Sequence, residues 1–354
     1  MIKARVERIQ KELTAGQALL VSSDCNRFYF TGFASSAGSV FICPDEAVFL
    51  IDFRYFEKAK ATVDSCTVVQ SPPAGVSELC QKYGIKELFI EATSTPVSRL
   101  AALRRDLPDV TVSDSDKFDT IIADMRCIKT EQELALIREA QRMTDETFSY
   151  ILNHIRPGRT EKEIMLDMEF FMRRMGSEGV SFDFIVVSGK NSSLPHGVPT
   201  EKVIERGDFV TMDFGAVVGG YHSDMTRTVA VGEASDEMRL VYDTVLKAQL
   251  EAEKVVRAGM VCEDVDKVAR DLIYAAGYEG CFGHGLGHSL GVEIHESPAF
   301  SPRCKTVLRP GMVMTVEPGI YLENKFGVRI EDMVYVTDTG SINLTASEKK
   351  LIVL

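Results

Sequence analysis

Two stretches of this chain match one another in pattern. ERGDFVTMDFG (205–215) superimposes without a gap on RPGMVMTVEPG (309–319), setting Gly207 over Gly311, Thr211 over Thr315, Asp213 over Glu317 and Gly215 over Gly319. Each runs through a turn into a second strand-like run, YHSDMTRTVAV or GVRIEDMVYVT, carrying Asp224 and Glu331 respectively. Upstream, IRPGRTEKEIMLDMEFFMRRMG (155–176) aligns on VRAGMVCEDVDKVARDLIYAAG (256–277), each reading as a helix end, a glycine turn and a second helix closed by glycine. Thr130 with Glu133 and Thr160 with Glu163 have capping-box spacing ahead of apolar-periodic runs. The pattern predicts two copies of a helix, helix, acidic-hairpin unit, facing their hairpins across a shared cleft.

The acids set the chemistry of that cleft. With the first turn centred between Val218 and Gly219, Asp213 and Asp224 fall directly opposite each other, Cβ atoms roughly 5 Å apart. Carboxylates that close repel unless a cation lies between them. In the second copy, Glu317 and Glu331 pair about Asn324, a register loosened by Pro318. Asp213 lies between Met212 and Phe214, and Glu317 follows VMTV, so both acids interrupt apolar strands. An unpaired buried carboxylate costs several kcal/mol or stays protonated, and cation coordination is the usual remedy. Together the four acids read as one dinuclear site.

GHGLGHSLGVEIHE (283–296) holds three of the six histidines. A helical zinc motif is disfavoured, because Gly285 follows His284 and each glycine costs a helix about 1 kcal/mol. Nor does the spacing fit a dinucleotide-binding loop. The glycines are expected to let the backbone pass close to the metals and present imidazoles at fixed angles.

Residues 1–122 read as a small α/β domain. QALLVSS, SVFICP, AVFLID and TVVQ look like strands, VSELCQKYG and PVSRLAALRRDL like amphipathic helices, and the polar SDSDKFD (113–119) like the start of a boundary. The formal net charge of -12 argues against nonspecific nucleic-acid binding. No window approaches a membrane span, and the charged amphipathic start, with Ile2, Val6, Ile9 and Leu13 on one face, lacks a signal-peptide core. Eight scattered cysteines without a CxxC pair predict reduced, mostly buried thiols in a cytoplasm.

TMDFGAVVGGYHSDMTRTVAVG, GHGLGHSLGVEIHESP, TVEPGIYL and GVRIEDMVYVT, with SSLPHGV upstream, resemble the pita-bread metallopeptidases, and most of all the short bacterial Xaa-Pro aminopeptidases and Xaa-Pro dipeptidases. YFTGFASSAGSVFICPDEAVFLIDFRYFEKA is similar to their N-terminal domain, so the likeness spans nearly the whole chain. It implies an α+β protein: a C-terminal pita-bread (creatinase/aminopeptidase-like) domain at 123–354 with an internal pseudo-twofold, preceded by a creatinase-type α/β domain at 1–122 that serves substrate-length selection and dimer contacts.

The resemblance further implies that Asp213 binds one metal, Asp224 and Glu331 bridge two, and His288 and Glu317 complete the second. None of the five positions departs from the family pattern. Such oxygen-rich donors favour Mn²⁺ or Co²⁺, with Zn²⁺ also possible, and two ions can share a hydroxide aimed at a carbonyl carbon. Glu317 would act as general base and then acid. His196 and His295 would contact substrate and stabilise the oxyanion, and His284 and Arg329 would line the pocket. A simple salt bridge from Arg329 to Glu331 or Asp332 is an equal alternative, and for any single histidine here packing or a structural hydrogen bond competes. Phe182 and Phe184 are candidates for a proline-fitting wall, with core packing the competing role.

The implied activity is hydrolysis of the bond between an N-terminal residue and proline in a peptide, by a cytoplasmic homodimer whose N-terminal domain, through Arg54, borders the substrate's far end. The alternatives are a dipeptidase restricted to Xaa-Pro, a methionine aminopeptidase, and a non-catalytic scaffold on the same fold.

Overall fold

The computed structural model describes residues 2–71 and 75–354. The chain divides into two compact units, Met1–Met125 and Arg126–Leu354.

The first unit runs α1 (Ile2–Glu12), β1 (Gln17–Val21), α2 (Asp24–Thr31), β2 (Ser39–Cys43), β3 (Glu46–Ile51), α3 (Phe53–Thr62), β4 (Thr67–Gln70), α4 (Gly75–Lys82), β5 (Glu87–Ile90), α5 (Val97–Asp106), β6 (Thr111–Ser113) and α6 (Lys117–Cys127), whose last turn crosses into the second unit. Its six strands form one mixed sheet in the order β4-β3-β2-β1-β5-β6. The four expected strands and two expected helices are present. The helices α2 and α3 and the strands β5 and β6 are additions. Val6 and Ile9 on α1 are buried, as the amphipathic start predicts. Lys117 to Asp119 of the polar stretch form the first turn of α6.

The second unit holds α7 (Glu131–Ile151), α8 (Glu161–Arg174), β7 (Ile185–Ser188), a 3₁₀ turn (Gly189–Ser193), β8 (Phe209–Phe214), β9 (Val217–Val218), β10 (Tyr221–His222), β11 (Met225–Ala230), α9 (Asp236–Val255), α10 (Cys262–Ala275), β12 (Gly287–Ser289), β13 (Glu296–Phe300), β14 (Val313–Val316), β15 (Gly319–Leu322), β16 (Phe326–Arg329), β17 (Asp332–Val336) and β18 (Ser341–Asn343). The duplication is plain. Helices α7 and α8 precede the sheet β11-β8-β7, while α9 and α10 precede a sheet whose core is β12-β14-β17. Both capping boxes, Thr130 with Glu133 and Thr160 with Glu163, are formed.

Each half buries its own apolar layer. Val210, Met212 and Phe214 of β8 pack with Ile164, Met168 and Met172 of α8. Met314 and Val316 of β14 pack with Val265, Ala269 and Ile273 of α10. Because strand side chains alternate, Asp213 falls on the face away from the helices, as does Glu317 just beyond β14. Asp224 and Glu331 share that face by the same parity along β11 and β17.

The registers differ in outcome. β8 pairs with β11 so that Asp213 faces Thr226, not Asp224. The turn is Gly219–Gly220, at φ 55 and 71, flanked by the pair Val218 and Tyr221. A two-residue hairpin turn with positive φ at both positions suits two glycines, whereas a β-branched valine belongs in the strand. The resulting shift moves the partner by two residues, so Asp224 keeps its face. The second hairpin has the expected register: Val316 pairs with Asp332 and Gly319 with Arg329, about Asn324 at φ 58.

Candidate metal centre

The acids sit where the ladders stop. Glu317 lies between β14 and β15, Glu331 between β16 and β17, and Asp224 just before β11. The backbone there is held across the two hairpins. The Glu331 N–H donates to the Thr226 carbonyl at 3.1 Å, and the Glu317 N–H to that of Leu286 at 2.8 Å. Thr226, which faces Asp213, donates its hydroxyl to Glu331 Oε2 at 2.8 Å, and Thr315 donates to Glu317 Oε1 at 3.1 Å.

All nine site residues named from the sequence line one cavity of about 860 Å³. Asp224, His288 and Glu331 each bring one donor atom within 4.8 Å of the other two. His288 Nε2 lies 3.5 Å from both Asp224 Oδ2 and Glu317 Oε1. His288 Nδ1 is 3.0 Å from the Ser289 carbonyl, which can only accept. Nδ1 therefore carries the proton, leaving the Nε2 lone pair turned toward the acids. Burial lowers the His288 pKa to about 4, so the ring is neutral at pH 7.

Burial also pushes the carboxyl groups up, and their mutual repulsion adds to it. Asp224 and Glu331 are raised well above the usual carboxylate range, and Glu317 to about 8 despite the lowering influence of Arg329. Asp213 Oδ1 and Glu331 Oε1 are buried without a hydrogen-bond partner. Crowded, desolvated carboxylates with unused lone pairs beside a neutral imidazole fit a divalent cation.

Arg329 is 3% exposed and pairs with neither Glu331 nor Asp332. Its Nη2 donates to Asp213 Oδ2 at 2.6 Å, its Nε to Thr226 Oγ1 at 2.9 Å and its Nη1 to Tyr321 Oη at 2.9 Å. Asp332 instead points to the helix face, where Arg227 and Lys349 neutralise it at 2.6 Å each.

His284 turns its Nδ1 to the Gly285 carbonyl at 2.8 Å and its Nε2 to Tyr321 Oη at 2.9 Å, and burial lowers its pKa to about 4. The Tyr321 hydroxyl accepts from Arg329, so it donates to His284. Tyr321 thus joins His284 to Asp213 through Arg329. Sequence reasoning missed it, because a tyrosine in a strand carries no distinguishing signal. His196 and His295 are exposed at the cavity wall, the His295 ring centroid 4.5 Å from that of His288. Phe184 is a core residue, edge-on to Phe214, while Phe182 is half-buried in the wall.

Three of the glycines around the histidines allow a close approach to neighbouring protein atoms. A Cβ at Gly285 would lie 2.7 Å from the Phe300 carbonyl oxygen, and one at Gly287 2.1 Å from that of Thr315. At Gly291 it would meet the Glu296 carboxylate at 2.8 Å. Burial raises the Glu296 pKa, but Lys129 and Arg126 outweigh it and hold the group below the usual range. Glu296 also accepts the N–H groups of Val292 and Glu293 at 3.0 and 3.2 Å, fixing the loop that carries His295. Asp266 and Arg270 of α10 do the same for the His284 loop, through the Leu286 N–H and the Phe282 and His284 carbonyls.

Known proteins share this arrangement of sequence and fold. Residues 135–338 match metallopeptidase family M24, and residues 5–128 match the Creatinase/Prolidase N-terminal domain. The chain belongs to metallopeptidase family M24. Within this family it is 42% identical to the uncharacterized peptidase YqhT of Bacillus subtilis, covering 95% of each chain. Among solved structures, the Xaa-Pro dipeptidase from Bacillus anthracis is 41% identical with a TM-score of 0.93, covering 100% of this chain and 99% of that one. The X-Pro aminopeptidase from Thermotoga maritima is 36% identical, also with a TM-score of 0.93 and the same coverage. The M24 protein therefore has the expected architecture, a creatinase-type domain followed along the chain by a pita-bread domain. Among its described residues no helix is long and apolar enough to cross a membrane.

Proposed function

We propose that this chain is a dinuclear metal-dependent exopeptidase that hydrolyses the bond between an N-terminal residue and proline, in peptides as an Xaa-Pro aminopeptidase. The observation that carries the reading is the convergence of Asp224, His288 and Glu331 beside Asp213 and Glu317, with two buried carboxylate oxygens lacking partners. Asp213, Asp224, His288, Glu317 and Glu331 would hold two divalent cations, Mn²⁺ best suiting the oxygen-rich set and Co²⁺ or Zn²⁺ being tolerated. When bound, such ions supply Lewis acidity that polarises a carbonyl and activates water near neutral pH.

The chain's own groups do the rest. Glu317, oriented by the Thr315 hydroxyl, takes a proton from the attacking water and returns it to the leaving nitrogen, a secondary amine when the residue is proline. His295 and His196, exposed on the cavity wall, bind the substrate and stabilise the developing oxyanion. Arg329 orients Asp213, and His284 with Tyr321 holds Arg329 in place. The apolar wall at Phe182 offers proline a surface that needs no amide N–H. We place the protein in the cytoplasm, where its eight cysteines, none in a disulfide, stay reduced, and as a homodimer.

The dipeptidase reading has specific support in the 41% identity to a structure named Xaa-Pro dipeptidase, against 36% for the one named X-Pro aminopeptidase. Comparing Ala-Pro, Ala-Pro-Ala and Met-Ala-Ser as substrates of the Mn²⁺-loaded protein separates the readings. Cleavage of Ala-Pro-Ala is expected. Cleavage of Ala-Pro alone makes the protein a dipeptidase, preference for Met-Ala-Ser a methionine aminopeptidase, and no turnover a non-catalytic scaffold.

A further inference from the structure

We infer that Glu161 is a positioning residue of this site: its buried carboxylate ties together both ends of the 188–200 segment and so sets His196 and the Pro195 carbonyl in the cavity wall. The inference rests on the proposed function for the role of His196.

Glu161, on the first turn of α8, has no exposed surface. Its Oε1 accepts from the Ser188 N–H at 2.6 Å, the Ser188 hydroxyl at 3.0 Å and the Asn191 amide at 3.1 Å. Its Oε2 accepts from the Thr200 N–H at 3.0 Å and the Thr200 hydroxyl at 2.7 Å. One carboxylate therefore spans the start and the end of a segment whose middle, residues 195–199, lines the cavity.

That middle has little burial of its own to hold it. Leu194 is 56% and Val198 76% exposed, and His196 is exposed too. Two contacts carry its position inward. Ser192 Oγ accepts from the Gly327 N–H at 2.9 Å, and Arg329 Nη1 donates to the Pro195 carbonyl at 3.2 Å while Nη2 holds Asp213.

The acid is not needed to build its helix. The duplicated helix α10 begins with Cys262 at the equivalent position, has no side-chain cap bond, and reaches the same 14 residues. What Glu161 adds is the hold on the segment. Replacing it with glutamine turns an amide N–H₂ toward donors, leaving buried N–H and O–H groups unsatisfied.

The test uses the full-length Mn²⁺-loaded protein. Glu161→Gln should lower kcat/KM for Ala-Pro-Ala about 100-fold, as a misplacement of about 1 Å does, with Mn²⁺ affinity by calorimetry unchanged. Hydrogen exchange should quicken at residues 189–200 and stay as in wild type on β8 and β14. In a double-mutant cycle, Glu161→Gln should add nothing to His196→Ala. Unchanged exchange at 189–200, or effects that multiply, would overturn the inference. Should Glu161→Gln not fold, Asn191→Ala with Thr200→Val removes donors from the other side and is judged by the same exchange and cycle criteria. If the wild type cleaves no Xaa-Pro substrate, the proposed function fails by itself, and the clamp is decided by exchange alone.

Discussion

At the scale of single residues, the site is a balance of burial against charge. Asp224→Asn keeps the shape and removes a charge shared by the cluster, so bound cation and turnover should vanish together, as metal analysis and an Ala-Pro-Ala assay would read. His295→Ala should retain cation and lose about 100-fold in kcat; normal turnover would remove His295 from the mechanism. The cation-free protein should also report the crowding through pH. Glu317 is raised from 4.5 to about 8 when folded, so its contribution to stability is full below about pH 4.5 and is lost as pH rises through 8. Scanning calorimetry of chelator-treated protein should therefore give a Tm that falls across this range, and Mn²⁺ should flatten the decline. A flat profile without metal would contradict it. The acids themselves were legible in the sequence, because a carboxylate breaking an apolar strand stands out. Tyr321 and Thr226 were not, since their roles come from contacts between segments far apart in the chain.

Among elements, helices and strand faces were readable and one register was not. The two capping boxes announce α7 and α8 locally, and alternation puts Asp213 opposite the helix-packed Met212 and Phe214. The first hairpin escaped by one residue in its turn because VVGG offers two adjacent places to fold back, and only the glycine pair accepts positive φ at both positions. The error was harmless to the site, as parity is conserved. A glycine also decides how closely two strands of the second sheet approach. Gly287 lets β12 lie against the Thr315 carbonyl, next to His288. Gly287→Ala should lower stability by about 1–3 kcal/mol and weaken Mn²⁺ binding, measurable by thermal unfolding and calorimetry; an unaffected protein would mean the strand has room to spare.

For the molecule as a whole, the two copies are alike in fold and unlike in what they contribute. β7, β8 and β11 of the first correspond to β12, β14 and β17 of the second, yet the imidazole comes from β12 only, its place in β7 being taken by valine in IVVS. Chain topology was visible in advance through the repeated segments, while ELFI of the first unit, a strand without the β-branched run that marks TVVQ, was not. If two ions bind, the broken symmetry makes them inequivalent neighbours, one bound through nitrogen and oxygen and the other through oxygen alone. Stepwise titration would then resolve a stronger and a weaker uptake, and a half-filled population would exist at intermediate cation supply.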